Sequence, residues 1–238
     1  MTNHTIETSP RLKARIAGAL YLISGTLFVR GMPAITADAA ATAHNMLAHQ
    51  SLFRLGFVAD LLSAPLYMAV TLILYELLRP VNRSLSLLAT VFSLVGSTIA
   101  AVVCLLHFAP LIVLGGSHYL SVFSVEQLQA LALMFLNLHV QGLSISMVFF
   151  GFFCFLLGYL IFRSTFFPRI IGVLLAIAGL CYLTYYPATF LWPEFAAHMF
   201  PYILIPGLGE LVLALWLLVM GVNVQRWKEQ ANAAGGRQ

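Results

Sequence analysis

VQGLSISMVFFGFFCFLLGYLIF, residues Val140–Phe162, runs without one charged side chain. As a helix rising 1.5 Å per residue it is long enough to cross the ~30 Å of hydrocarbon in a bilayer. A basic turn, Arg163 to Arg169, closes it, and a second apolar run, Ile170–Leu191, follows. Two long apolar segments hinged on arginines describe a membrane hairpin, and the rest of the chain repeats the pattern. Four more such runs lie near Ile16–Ile35, Leu55–Leu78, Leu85–Leu111 and Tyr202–Val224. The expected fold is therefore all-α, a polytopic transmembrane bundle of about six spans.

Composition supports the same class. Of 238 residues, 61% are hydrophobic and only 8% charged. A soluble domain carries about 25% charged residues because it has a wet surface to cover. The length suits a single transmembrane domain over residues 1–230, with residues 231–238, rich in Ala and Gly, read as a disordered tail. The net charge of +4 comes from short basic clusters between apolar runs, which excludes nucleic acid as the implied partner and makes membrane lipid the expected one. Arg11, Lys13, Arg15, Arg79, Arg83, Arg163, Arg169, Arg226, Lys228 and Arg237 fall on one side of the predicted spans, leaving Arg30 and Arg54 toward the other. The positive-inside rule then places both termini in the cytoplasm of a multi-pass inner-membrane protein. His44, His49, His107, His118, His139 and His198 show the opposite bias.

The first segment imitates a signal peptide, with Arg11–Arg15, an apolar run and then Ala37-Asp38-Ala39. Arg30 interrupts the run and cleavage would leave five spans, so the segment is expected to stay. The loop Pro33–Phe53 is polar and helix-prone and is expected to lie over the outer mouth. Ser124 and Gln127 form a capping box opening a helix. A continuous helix from there to Phe162 would be about 57 Å long, which predicts a break near Asn137–Gly142 or a protrusion from the membrane.

Polar residues inside the apolar runs fall into stripes. Asp60, Ser63, Tyr67 and Thr71 share one helical face. Ser86, Thr90, Ser93, Ser97, Ala100, Cys104 and His107 keep an alternating four-three spacing, a small and polar seam that ends in a histidine. Pro206, Gly207, Glu210, Ala214 and Gly221 share a third face. Such seams belong to helix–helix contacts, where small residues allow close approach. Measured from the inner basic residues, Asp60 lies about 28 Å up, Glu210 about 24 Å and Arg30 about 22 Å. His107 comes out about 36 Å up, at the outer edge. Arg30, Asp60, His107 and Glu210 are thus the candidate ligand- or ion-binding residues, converging on the outer third of the membrane. Arg30 against two carboxylates leaves a deficit of one positive charge, which a proton, a protonated His107 or a bound cation could supply, so the pocket is open to a small ligand, ion or proton. Glu76, one turn from Arg79, is expected to pair with it.

No nucleophile–base pair with recognisable spacing is present, so no catalytic residue is assigned, and no cofactor or metal is implied by motif. The three cysteines, Cys104, Cys154 and Cys181, stand singly in apolar runs and read as buried hydrophobes. His107, His139 and Asp60 could bind a metal only if folding brings them together. Three function classes remain: a binding or transport protein with a polar pocket, a structural or regulatory membrane partner, and a membrane enzyme acting on lipid or quinone.

The stretch FFGFFCFLLGYLIFRSTFFPRIIGVLLAIAGLCYL resembles the signature region of a bacterial family known only as domain of unknown function 4386. ARIAGALYLISG, RLGFVADLL around Asp60 and PGLGELVLALWLL around Glu210 are similar to further blocks of that family, in order along nearly the whole chain. The resemblance implies a multi-helix membrane protein with no assigned activity. In the family pattern FFG is often followed by a Leu-His pair, where this chain has Phe152 and Phe153.

Overall fold

A computed structural model describes residues 9–31, 36 and 38–235, with backbone only over residues 29–31 and 201–206. The chain forms α1 (Pro10–Gly31), α2 (Ala39–Ala48), α3 (Gln50–Leu78), α4 (Arg83–Val113), a 3₁₀ turn (His118–Leu120), α5 (Val125–Arg163), α6 (Arg169–Leu191), α7 (Pro193–Val219) and α8 (Val224–Gly235). No strand occurs among the described residues.

Side-chain chemistry sets the helix ends. Asn82 accepts from the Leu85 amide at 3.0 Å and starts α4. Ser124 and Gln127 complete their reciprocal cap and start α5. At the other end of the chain, Gly221 takes φ +68 and its amide reaches the Trp216 carbonyl at 3.0 Å. A glycine accepts this left-handed conformation without a Cβ clash. The chain there turns by 103° between the end of α7 and α8.

Six helices close a ring: α1 packs on α3, α3 on α4, α4 on α5, α5 on α6, α6 on α7, and α7 back on α1. The small helix α2 lies on α5 and α3, and α8 touches α1. Four helices, α3 to α6, are by themselves long and apolar enough to span a bilayer, and the bent α7–α8 pair makes up to five among the described residues. The outside of the bundle is apolar, with Leu105, Val102, Ile170 and Leu180 all more than half exposed. In water each such side chain would forfeit about 1.5–3 kcal/mol of burial, whereas lipid removes the penalty. The molecule is a polytopic helical membrane protein.

The basic ends of the helices gather together. Lys13 meets Glu76 at 2.5 Å, the Arg15 guanidinium donates to the Val219 carbonyl at 3.1 Å, and the Trp227 indole donates to the Leu77 carbonyl at 2.8 Å. Glu76 thus pairs across to α1 and not with Arg79 of its own helix, because α1 packs directly on α3 at this end. The main core, including Leu74, Leu157, Leu160, Leu213 and Leu217, fills this half of the bundle.

Three predicted features come out differently in detail. Helix α5 is unbroken over Val125–Arg163, with no break in the helix near Asn137–Gly142. The loop after α1 contains α2, which buries Thr42, Ala43 and Met46. The segment read as a tail, 231–238, continues α8 as far as Gly235, while residues 236–238 lie outside the described residues.

The predicted seams are buried. Ser86, Thr90, Ser93, Ser97, Cys104 and His107 of α4 are all in the interior. Hydroxyls then bond across helices: Ser93 with Thr71 at 2.6 Å, Ser24 to the Ser63 carbonyl at 3.0 Å, and Ser146 to the Gly96 carbonyl at 2.9 Å. On α5 and α6, glycines permit backbone-to-backbone packing. A Cβ built on Gly158 would stand 2.5 Å from the Ala176 nitrogen, and one on Gly172 2.6 Å from the Gly158 oxygen.

Candidate functional site

Two polar clusters occupy the interior, and α3 contributes to both. The first lies toward the end of the bundle away from the arginines. Asp60 of α3, His107 of α4 and His139 of α5 are 4%, 1% and 0% exposed. Asp60 faces inward because it heads the Ser63–Tyr67–Thr71 stripe, and His107 because it ends the α4 seam. His139 shares its face with the buried Leu136 and Leu143. The His107 Nδ1 and the His139 Nε2 each stand 3.4 Å from the same carboxylate oxygen, Asp60 Oδ2. One ligand-capable atom from each residue lies within 4.8 Å of the other two.

The surroundings are apolar. The Phe53 ring meets His107 edge-on at 4.7 Å between centroids and Phe57 at 6.0 Å. Met46 of α2 joins Leu111 and Leu136 in a small core on this side. The Cys104 thiol, one turn before His107, donates to the Ala100 carbonyl at 3.3 Å. The His139 Nδ1 is 3.1 Å from the Val103 carbonyl. A carbonyl only accepts, so Nδ1 carries the hydrogen and a neutral His139 presents a bare Nε2 lone pair toward Asp60. Both His139 Nε2 and His107 Nε2 are buried without a hydrogen-bond partner.

The 3.4 Å separations are long for an imidazole–carboxylate hydrogen bond, which closes to about 2.7–2.9 Å. These two of the three donor–donor separations match the edge of a coordination tetrahedron, since ligand bonds of about 2.0–2.1 Å to zinc put neighbouring donor atoms roughly 3.3 Å apart. The third lies within 4.8 Å. Two imidazoles and a carboxylate, with one histidine oriented by a backbone carbonyl, form a donor set suited to a borderline transition metal.

The second cluster centres on Glu210 of α7. Its carboxylate accepts from Tyr21 of α1 at 2.5 Å, Tyr67 of α3 at 3.3 Å and Tyr182 of α6 at 2.9 Å. Tyr21 and Tyr67 also meet each other at 3.1 Å. One carboxylate therefore ties four helices of the ring together.

Of the residues singled out in the sequence, Asp60 and His107 come together, while Glu210 lies in the separate tyrosine cluster. The side chain of Arg30 lies outside the described residues. His139, named in the sequence only as a conditional metal ligand with Asp60 and His107, joins them, and the three tyrosines are the additions. His139 was legible as a histidine well inside an apolar helix, and Tyr67 as a member of the Asp60 stripe. Tyr21 and Tyr182 carried no spacing signal, since their partner sits on another helix.

Residues 16–221 match the family described as domain of unknown function (DUF4386). The chain belongs to this family. A relative from Archaeoglobus fulgidus, itself described as an uncharacterized protein, is 26% identical over 152 residues, covering 64% of this chain and 75% of its own. No solved structure matches. The chemistry of this DUF4386 chain rests on its own buried residues.

Proposed function

We propose that this is an integral membrane protein whose Asp60–His107–His139 cluster binds a divalent transition-metal ion, zinc by preference, in the outer part of the cytoplasmic membrane. The observation that carries this reading is the facing of the His139 Nε2 lone pair and the Asp60 carboxylate, 3.4 Å apart and buried. Two electron-rich atoms in that arrangement repel unless a cation or proton lies between them. Asp60 Oδ2, His107 Nδ1 and His139 Nε2 supply the donors. Three protein ligands leave a fourth position for water or substrate, the ligand count of sites that activate water. The Glu210 cluster is read as structural, because its carboxylate already accepts three hydroxyls.

The basic residues support a topology of six crossings with cytoplasmic termini, which sets the metal cluster toward the outer face. Reporter fusions in each loop test it, and an external Arg79–Arg83 turn would refute it. The metal reading is tested by metal analysis of the purified chain and by zinc titration against a chromophoric chelator. One zinc per chain is expected in the wild type and in Glu210→Gln at stoichiometric zinc, and at that same low concentration none in His139→Gln or Asp60→Asn. A protonated histidine in place of metal predicts no zinc in any of them. That result would overturn the proposal.

A further inference from the structure

A cleft of about 770 Å³ opens at the opposite, basic end of the molecule, between the α5–α6 turn and α8. Arg163, Arg169 and Arg226 line it, together with Thr165, Glu229 and Gln230. Its frame is fixed by hydrogen bonds. The Thr165 amide and hydroxyl both donate to Gln230 Oε1 at 3.0 Å, and the Arg226 guanidinium donates to the Thr165 carbonyl at 3.4 Å. Trp227, through its bond to the Leu77 carbonyl, pins α8 across the end of the bundle. Glu229 is turned toward Gln225, which donates to it at 3.2 Å. Among the described residues, no carboxylate lies in ion-pair contact with any of the three arginines. Three arginines thus line one cleft with a single acidic side chain on its wall.

Arg169 of the cleft wall links it to exposed apolar side chains at the start of α6 and the end of α5. The Arg169 guanidinium stands over the Phe162 ring at 5.7 Å, and Phe162, Ile170 and Val173 beside it are 44%, 61% and 39% exposed. A cationic cleft for a head and an adjoining apolar strip for a tail fit an amphiphile with an acidic head group. Guanidinium groups bind phosphate oxygens in pairs, and basic pockets at the cytoplasmic ends of helices are suited to anionic lipid heads. We infer that this cleft is a specific binding site for the phosphate of an anionic phospholipid, with its acyl chain along Phe162, Ile170 and Val173. The site is separate from the metal cluster and independent of it.

The test uses the full delipidated chain in a neutral detergent, titrated with a fluorescent short-chain phosphatidylglycerol and, separately, with the phosphatidylcholine analogue and inorganic phosphate. Phosphatidylglycerol should saturate one site per chain, with phosphatidylcholine binding far more weakly. Each surface arginine contributes about 1 kcal/mol toward an anionic lipid, so Arg169→Gln and Arg226→Gln should each weaken binding about fivefold and together about 25-fold. Glu229→Gln should tighten it by a similar factor, a gain that misfolding cannot produce. Arg83→Gln, on the same side but outside the cleft, should leave it within about twofold. An equal loss in Arg83→Gln would show diffuse attraction only and overturn the site. Inorganic phosphate displacing the lipid at equal concentration would assign the cleft to a free anion and overturn the lipid reading.

Discussion

Replacing Gly158 by alanine tests how closely α5 and α6 are packed. The added Cβ would stand 2.5 Å from the Ala176 nitrogen and 2.6 Å from the Gly172 oxygen, both main-chain atoms that cannot rotate aside. Non-bonded carbon contacts settle near 3.5–4.0 Å, so the helices would separate by roughly 1 Å at this point. A gap of that size forfeits a quarter to a half of each contact along the seam. Overpacking of this kind costs about 1–3 kcal/mol, against a gain of up to about 1 kcal/mol from alanine's helix propensity. A net destabilisation of roughly 1–2 kcal/mol is expected. Gly25 of α1 is the control, since a Cβ there meets nothing within 4 Å. Gly25→Ala should be neutral or stabilising. Thermal unfolding of both variants in detergent measures the difference. Gly158→Ala as stable as the wild type, or both variants shifting the same way, would refute the close packing.

Other outcomes follow from the two polar clusters and the seam. Tyr182→Phe removes one hydroxyl from the Glu210 carboxylate and should lower stability by about 1.5–3 kcal/mol, while Glu210→Leu, which strands three hydroxyls, should cost more than Glu210→Gln. Equal stability of the two Glu210 variants would contradict the tyrosine knot. Ser97, 1% exposed on α4, should tolerate leucine less well than Leu94 tolerates alanine, because a bulky chain would enter a close helix contact. Similar melting of Ser97→Leu and Leu94→Ala would count against that. A strong chelator should lower the unfolding temperature of the zinc-loaded wild type and leave Asp60→Asn unmoved, since a metal bound to the native state stabilises by mass action. Acidification should release the zinc from the wild type, because its ligands bind it deprotonated.

Architecture was legible in the sequence because the bilayer imposes a length and a hydrophobicity that local residues report directly. The α4 seam was readable for a similar reason: four-three spacing along one helix needs no knowledge of its neighbours. The site was legible only in part. Asp60 and His107 were flagged by depth, but depth alone also drew in Glu210, which the structure places in a separate cluster with Tyr21, Tyr67 and Tyr182. Height along a helix fixes one coordinate, while the order of helices around the ring fixes the other, and that order is set by close packing such as Gly158 on Gly172. His139 joins Asp60 because α5 lies beside α4, a fact no single-helix pattern contains. Glu76 turned to Lys13 for the same reason: a cross-helix partner was nearer than the local one.

X-ray absorption spectroscopy of the zinc-loaded protein tests the metal cluster most directly. Two imidazole nitrogens and carboxylate or water oxygens at about 2.0–2.1 Å are predicted, with the imidazole signal halved in His107→Gln and in His139→Gln where metal is retained at high zinc. A spectrum without imidazole scattering, or one unchanged in both variants, would contradict it.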